Sequence, residues 1–178
     1  MSYILTITGK HFDPFYPDSE LLCLEDMAHS LSFLARGNGH EKHFHSVAQH
    51  SIDCAREAEA RGHSARVQLA CLLHDGCEAY LSDVPSPLKE HMPEYCGAED
   101  RLTQLIFARF ITPALTEEEL AQVFSIDHDY VGYEFHELMV EELSDFSGLL
   151  TRPPMQERPM QEVEAEFLSL GSQLLAAL

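Results

Sequence analysis

The sequence predicts an all-α domain that carries a short extended or β N-terminal arm. Two capping boxes, Ser46-Val47-Ala48-Gln49 and Thr116-Glu117-Glu118-Glu119, announce helix starts. Apolar residues recur at helical spacing through most of the chain, and proline clusters at 13–17, 84–87 and 153–159 separate the helical stretches. A length of 178 residues suits one domain with a single core, so 1–178 is read as one unit.

Residues 3–8 are β-branched and broken by Gly9, which fits a short strand, and Asp13-Pro14 and Tyr16-Pro17 keep helices out of the arm, residues 1–24. From Asp26, the spacing of Met27, Leu31, Leu34 and Ala35 predicts a helix stopped at Gly37 or Gly39. The first capping box opens a helix over 47–61, ended by Gly62. Ser64 caps the next, whose nearly continuous run Val67, Leu69, Ala70, Leu72, Leu73 marks the most buried helix and is expected to continue toward the loop Val84-Pro85-Ser86-Pro87. A helix over 98–110 follows, and the second capping box opens a helical region reaching about Leu143. The core is therefore expected within 25–143, with a loop and a closing helix over 160–177 after it. Phe107, Phe110 and Phe124 read as core positions.

The chain holds 11 Lys and Arg against 30 Asp and Glu, a formal charge of -19. Binding to a nucleic-acid polymer rests on neutralising phosphates with basic side chains, so that partner class is excluded as an expectation. A small anion remains compatible if positive charge is concentrated locally. Five cysteines, Cys23, Cys54, Cys71, Cys77 and Cys96, without a C-x-x-C pair and without an apolar run long enough for a bilayer, read as a reduced, cytoplasmic chain with no membrane partner.

His74-Asp75 carries the chemistry. Two adjacent polar side chains in an apolar helix are costly to bury unless they are paired or bind a metal. Adjacent helical residues point roughly 100° apart, so further ligands must come from other helices. His50, in the middle of the preceding helix, is the natural third. Imidazole and carboxylate together suit Mn, Fe, Co, Ni or Zn better than Ca. Glu78, four residues beyond His74, lies one helical turn along the same face and can supply or relay a proton. Basic groups near this motif are few: Arg36 and Lys89 are the candidates for phosphate. His40, His43 and His45 crowd the start of the first ligand helix.

The segments Ser46-Val47-Ala48-Gln49-His50-Ser51 and His74-Asp75-Gly76-Cys77-Glu78-Ala79-Tyr80-Leu81-Ser82-Asp83-Val84-Pro85-Ser86-Pro87-Leu88-Lys89 resemble the HD-domain phosphohydrolases. The likeness is greatest to the branch with 5'-deoxynucleotidases and deoxynucleoside triphosphate triphosphohydrolases. It implies the HD helical fold, a divalent metal held by His50, His74, Asp75 and an aspartate on a later helix, and catalytic roles for Glu78 and Asp83. Asp127 and Asp129 both qualify as the later aspartate, and the register of the acidic segment 134–139 favours Asp127. The resemblance also implies that the region of Arg36 contacts substrate, although Gly37 stands where relatives usually have an aromatic residue. It further implies a homo-oligomer, for which the apolar closing helix offers a surface. The expected partner is a small phosphate ester, a mono- or triphosphate nucleotide. Two other readings are a nucleotide sensor without turnover, and a di-iron oxygenase drawing extra ligands from residues 40–45.

Overall fold

In a computed structural model, which describes residues 3–140 and 148–178, the arm forms a small antiparallel hairpin. β1 (Ile4–Leu5) pairs with β2 (His11–Phe12), with Ile4 opposite Phe12 and Leu5 opposite His11. Gly9 makes the turn with φ 81°, a conformation costly for residues with a Cβ. The hairpin is tied to the body through Asp26, whose carboxylate accepts the Thr8 backbone N–H at 3.0 Å and its hydroxyl at 2.9 Å. Phe12 is fully buried.

The described helices are α1 (Leu24–Phe33), α2 (Val47–Ala60), α3 (Ala65–Leu73), α4 (Glu78–Leu81), α5 (Ser86–Lys89), α6 (Pro93–Phe110), α7 (Glu117–Leu138) and α8 (Met160–Ala176). Both capping boxes form, at Ser46 with Gln49 and at Thr116 with Glu119. The protein is thus mostly helical with one small N-terminal sheet. α3 sits at the centre, packed by α2, α6, α7 and α8. Val67, Leu69, Ala70, Cys71, Leu72 and Leu73 are all buried, and each aliphatic side chain removed from water stabilises the fold by about 1.5–3 kcal/mol.

Four differences from the sequence reading have physical causes. The third helix stops at Leu73 rather than continuing through the motif, because the backbone tightens: Gly76 N–H bonds the Leu73 carbonyl at 2.9 Å and Glu78 N–H the Asp75 carbonyl at 3.0 Å. A Cβ at Gly76 would lie 2.9 Å from that Leu73 oxygen and 3.1 Å from Met27 Sδ, so this turn packs where only glycine fits. The proline loop contains the short helix α5, since Pro87 falls in its first turn, where a missing N–H costs nothing. α6 begins earlier than expected, at Pro93, for the same reason. Phe124 is 62% exposed rather than core, whereas Phe107 and Phe110 pack against the core. α7 runs unbroken to Leu138; the expected continuation to Leu143 lies outside the described residues.

The closing helix α8 buries Val163, Phe167, Leu170 and Leu174, mainly against α1, α2 and α3. Its apolar face is therefore used within the chain, and a homo-oligomer would need another surface. No helix among the described residues is long and apolar enough to cross a membrane.

Candidate metal centre

Two helices and a turn aim side chains at one point: α2 carries His50, α7 carries Asp127, and the turn after α3 carries His74 and Asp75. His50 and His74 meet through their Nε2 atoms at 3.3 Å. Asp127 Oδ1 lies 3.1 Å from His50 Nε2 and 3.5 Å from His74 Nε2. Asp75 Oδ2 lies 3.3 Å from His74 Nε2 and 3.8 Å from His50 Nε2. Cys54, one helical turn beyond His50, brings its sulfur to 3.5 Å of the same nitrogen. One ligand atom each from His50, Cys54 and His74 lies within 4.8 Å of the others, and all three residues are buried. Asp129 faces elsewhere, with Oδ2 2.7 Å from Arg61 Nη2.

The chemistry of the donors shows that this cluster fits a divalent metal. His74 Nδ1 is 2.7 Å from the Cys71 carbonyl oxygen, which only accepts, so that nitrogen carries the proton. His50 Nδ1 is 2.6 Å from Glu134 Oε1. Burial opposes ionisation of Glu134, yet His50, Arg36 and His45 outweigh it and hold its carboxyl well below the usual range. Glu134 therefore accepts and His50 Nδ1 donates. In neutral rings both Nε2 atoms then present lone pairs to each other and to two carboxylates, an arrangement that favours positive charge at its centre. Burial disfavours charging the rings, but the surrounding carboxylates still raise both histidines above their ordinary pKa. Two protons would set two N–H groups head to head at 3.3 Å; one cation satisfies all the lone pairs. The buried cluster around His50, Cys54 and His74 can therefore hold a divalent metal. Cys54 is its least suited member as a thiolate, since burial and nearby Asp127 push its thiol well up.

Asp75 and Asp127 are ready as anions. Burial raises both, but His74, Arg36 and His50 bring Asp75 down to about 2, and the two histidines depress Asp127 further. Arg36 joins the two layers of the site: Nη1 is 3.1 Å from Asp75 Oδ2, while Nε and Nη2 lie 3.3 and 3.2 Å from Glu134 Oε2.

These residues open into a cavity of about 410 Å³ whose walls include Arg36, Glu41, Asp75, Glu78, Asp83, Lys89 and Asp127. Glu78 is 5% exposed and its Oε2 has no hydrogen-bond partner among the described residues. Burial, then Asp75 and Asp83, raise its carboxyl well above the ordinary value, against weaker pull from Arg36 and Lys89. Asp83 is also raised, mainly by burial. Ser82, at φ 72°, turns the chain from α4 into the wall that bears Asp83. Lys89 Nζ is 2.6 Å from Glu99, and burial is outweighed by that carboxylate, which keeps the ammonium charged. A larger hollow of about 540 Å³ lies between the hairpin and α1, lined largely by Ile4, Leu5, Ile7, Phe33 and Leu34; it lacks convergent ligand atoms and is not the candidate centre.

Of the early histidines, His40 is exposed, His43 bonds the Met155 carbonyl at 2.8 Å, and buried His45 lies 3.4 Å from Glu134. Three contributors escaped the sequence reading. Cys54 was visible as an i, i+4 neighbour of His50. Glu134 was noted only as part of an acidic segment, and nothing local marks it as the partner of His50, 84 residues away. Glu41 carried no signal beyond its nearness to Arg36.

No protein-family model matches the chain. It is similar to the uncharacterised protein YfdR of Escherichia coli (strain K12), 35% identical over 113 residues, 64% of this chain and 61% of that protein. It is also similar to an uncharacterised protein of Rhodobacter capsulatus, 37% identical over 115 residues, 61% of this chain and 58% of that protein. The similarity thus spans about three fifths of each relative.

Proposed function

We propose that the chain is a metal-dependent phosphohydrolase with the HD-domain fold, acting on a small nucleotide, either a 5'-monophosphate or a triphosphate. The observation that carries this reading is the meeting of two imidazoles and two carboxylates beside Glu78, a buried carboxyl whose Oε2 has no hydrogen-bond partner among the described residues. His50, His74, Asp75 and Asp127 would hold the ion, which when bound supplies an acidified water and positive charge for the developing oxyanion.

The remaining steps belong to the chain itself. Burial, then the charges of Asp75 and Asp83, favour the protonated form of Glu78, which can deliver its proton to the departing oxygen. Asp83, in the same wall, helps keep that proton in place through its own negative charge. Arg36 spends three N–H contacts on Asp75 and Glu134, which leaves two N–H groups for phosphate. Lys89 lines the same cavity and keeps donors free beyond its bond to Glu99.

The test is incubation of the protein with Mn, Co, Zn, Ni or Fe(II) and a panel of deoxynucleotides. Free phosphate from monophosphates identifies a nucleotidase, and tripolyphosphate or stepwise phosphate from triphosphates the other activity. Nucleotide binding without product would favour a sensor, and no turnover of any phosphate ester would sink the proposal.

A further inference from the structure

The cavity wall contributed by α7 has a direction. Asp127, Val131 and Phe135 are spaced four apart and share one helix face, and Met139 continues the lining just past the helix end. At 1.5 Å per residue, this stripe runs about 18 Å from the metal centre. A phosphate seated beside Asp127 therefore directs the alcohol part of its ester along Val131 and Phe135 toward Met139.

Glu41 stands at that far end. Its loop is fixed by three successive left-handed residues, Gly37 (φ 55°), Asn38 (φ 54°) and Gly39 (φ 75°). The loop is anchored to the end of α7, where Lys42 N–H bonds the Leu138 carbonyl at 2.9 Å and Lys42 Nζ the Glu137 carbonyl at 2.8 Å. From the position a Cβ on Gly37 would occupy, Met139 Cε lies at 3.2 Å and Glu41 Oε1 at 3.7 Å. Gly37 thus leaves the corner open, and Glu41 and Met139 border it together.

We propose that Glu41 is a specificity-determining residue of this cavity, accepting a hydrogen bond from an N–H or O–H donor on the leaving group of the phosphate ester. The inference rests on the phosphohydrolase reading. Arg36 and Lys89 both have carboxylate partners, whereas the Glu41 carboxylate makes no hydrogen bond among the described residues. Burial and the charge of Glu134 raise its carboxyl to about 7, as expected of an acceptor held in a wall without its donor. The neighbouring Val131, Phe135 and Met139 offer an apolar surface for a ring, so Glu41 is the polar group at that end that can read the ring's edge.

The experiment compares kcat/KM for a deoxynucleoside phosphate bearing an exocyclic amino group with that for its analogue carrying hydrogen in place of the amine. Wild-type protein loaded with its best metal should favour the amine about tenfold or more, the range of a hydrogen bond to a charged group. Glu41→Leu should bring the ratio close to one, and Glu41→Gln, which keeps an acceptor oxygen, should retain part of it. A general folding defect lowers both rates together and does not move the ratio. If wild type hydrolyses both esters equally, or Glu41→Leu keeps the wild-type ratio, the role of Glu41 is overturned while the phosphohydrolase reading stands. If wild type hydrolyses neither ester nor any other phosphate ester with any metal, both fall.

Discussion

Glu134→Gln isolates the device that orients the first histidine. Glu134 Oε1 takes the His50 Nδ1 proton at 2.6 Å, and Oε2 takes two Arg36 N–H groups at 3.2 and 3.3 Å. Glutamine has nearly the same shape but is neutral, and one of its two ends is an NH2 donor. If that end faces His50, the ring must shift its proton to Nε2 and lose the lone pair aimed at the metal. If it faces Arg36, a guanidinium 13% exposed meets donors in place of a carboxylate. Loss of such a supporting partner lowers metal affinity about 10–100-fold, or about 1.4–2.8 kcal/mol at 1.4 kcal/mol per tenfold. Competition against a chromophoric chelator, with zinc or manganese, measures the ratio of dissociation constants. Glu137→Gln, on the exposed side of the same helix, serves as control, and circular dichroism checks the fold. A folded Glu134→Gln protein that binds metal within about twofold of wild type would refute the orienting role.

Three further outcomes follow. Glu57 is fully buried and accepts from Arg61 Nε, the Leu150 N–H and both the N–H and hydroxyl of Thr151; Glu57→Gln should cost about 2–4 kcal/mol in chemical denaturation. Burial works against ionising Glu57, but these donors win and lower its pKa. Its stabilisation is therefore complete above the unfolded value of about 4.3 and is lost as pH falls through the lower folded value, so a wild-type advantage that grows on acidification would contradict the assignment. Gly76→Ala places a Cβ 2.9 Å from a backbone oxygen and should destabilise by about 1–3 kcal/mol; calorimetry should show Tm lower by about 2–4 °C per kcal/mol, and an unchanged Tm would mean the turn relaxes freely. On the proposed reaction, Glu78→Gln should lower kcat by about 10²–10⁴-fold with metal content intact, and an equal loss of metal would assign Glu78 to binding instead.

Helix starts were readable because capping is local chemistry: Ser46 and Gln49, or Thr116 and Glu119, satisfy backbone donors three residues apart. The central position of α3 was readable because a helix apolar on nearly every side has to be enclosed. The break after Leu73 was not, since a glycine in a helical pattern looks tolerable until Met27 and Ile106, from distant parts of the chain, press on it. The four-residue step from His74 to Glu78 suggested one face of a continuous helix. Both residues do reach the same region, but through a turn. Phe124 was misread because an aromatic residue at helical spacing carries no mark of which face it occupies. That His50, His74 and Asp75 would converge was legible from their placement, and that Asp127 would join them from the resemblance alone. Glu134 was hidden because pairing of a carboxylate with a histidine on another helix is purely tertiary.

The charge of the cavity ties these observations to substrate binding. Glu41, Asp75, Glu78, Asp83, Asp127 and Glu134 line it against Arg36 and Lys89, in a chain whose formal charge is already -19. Burial first, and then that excess of carboxylates, raise the pKa values of Glu41, Glu78 and Asp83, so the cavity disfavours further negative charge. A phosphate ester brings more negative charge to the same space, and Arg36 is already shared between Asp75 and Glu134. On the proposed reaction, metal is expected to bind before phosphate. Calorimetric titration with inorganic phosphate should give measurable binding to metal-loaded protein and at least about tenfold weaker binding after chelation, a difference of about 1.4 kcal/mol. Equal affinity in the two states would mean that Arg36 and Lys89 neutralise the phosphate unaided, and that the carboxylates around them act far more weakly than their burial implies.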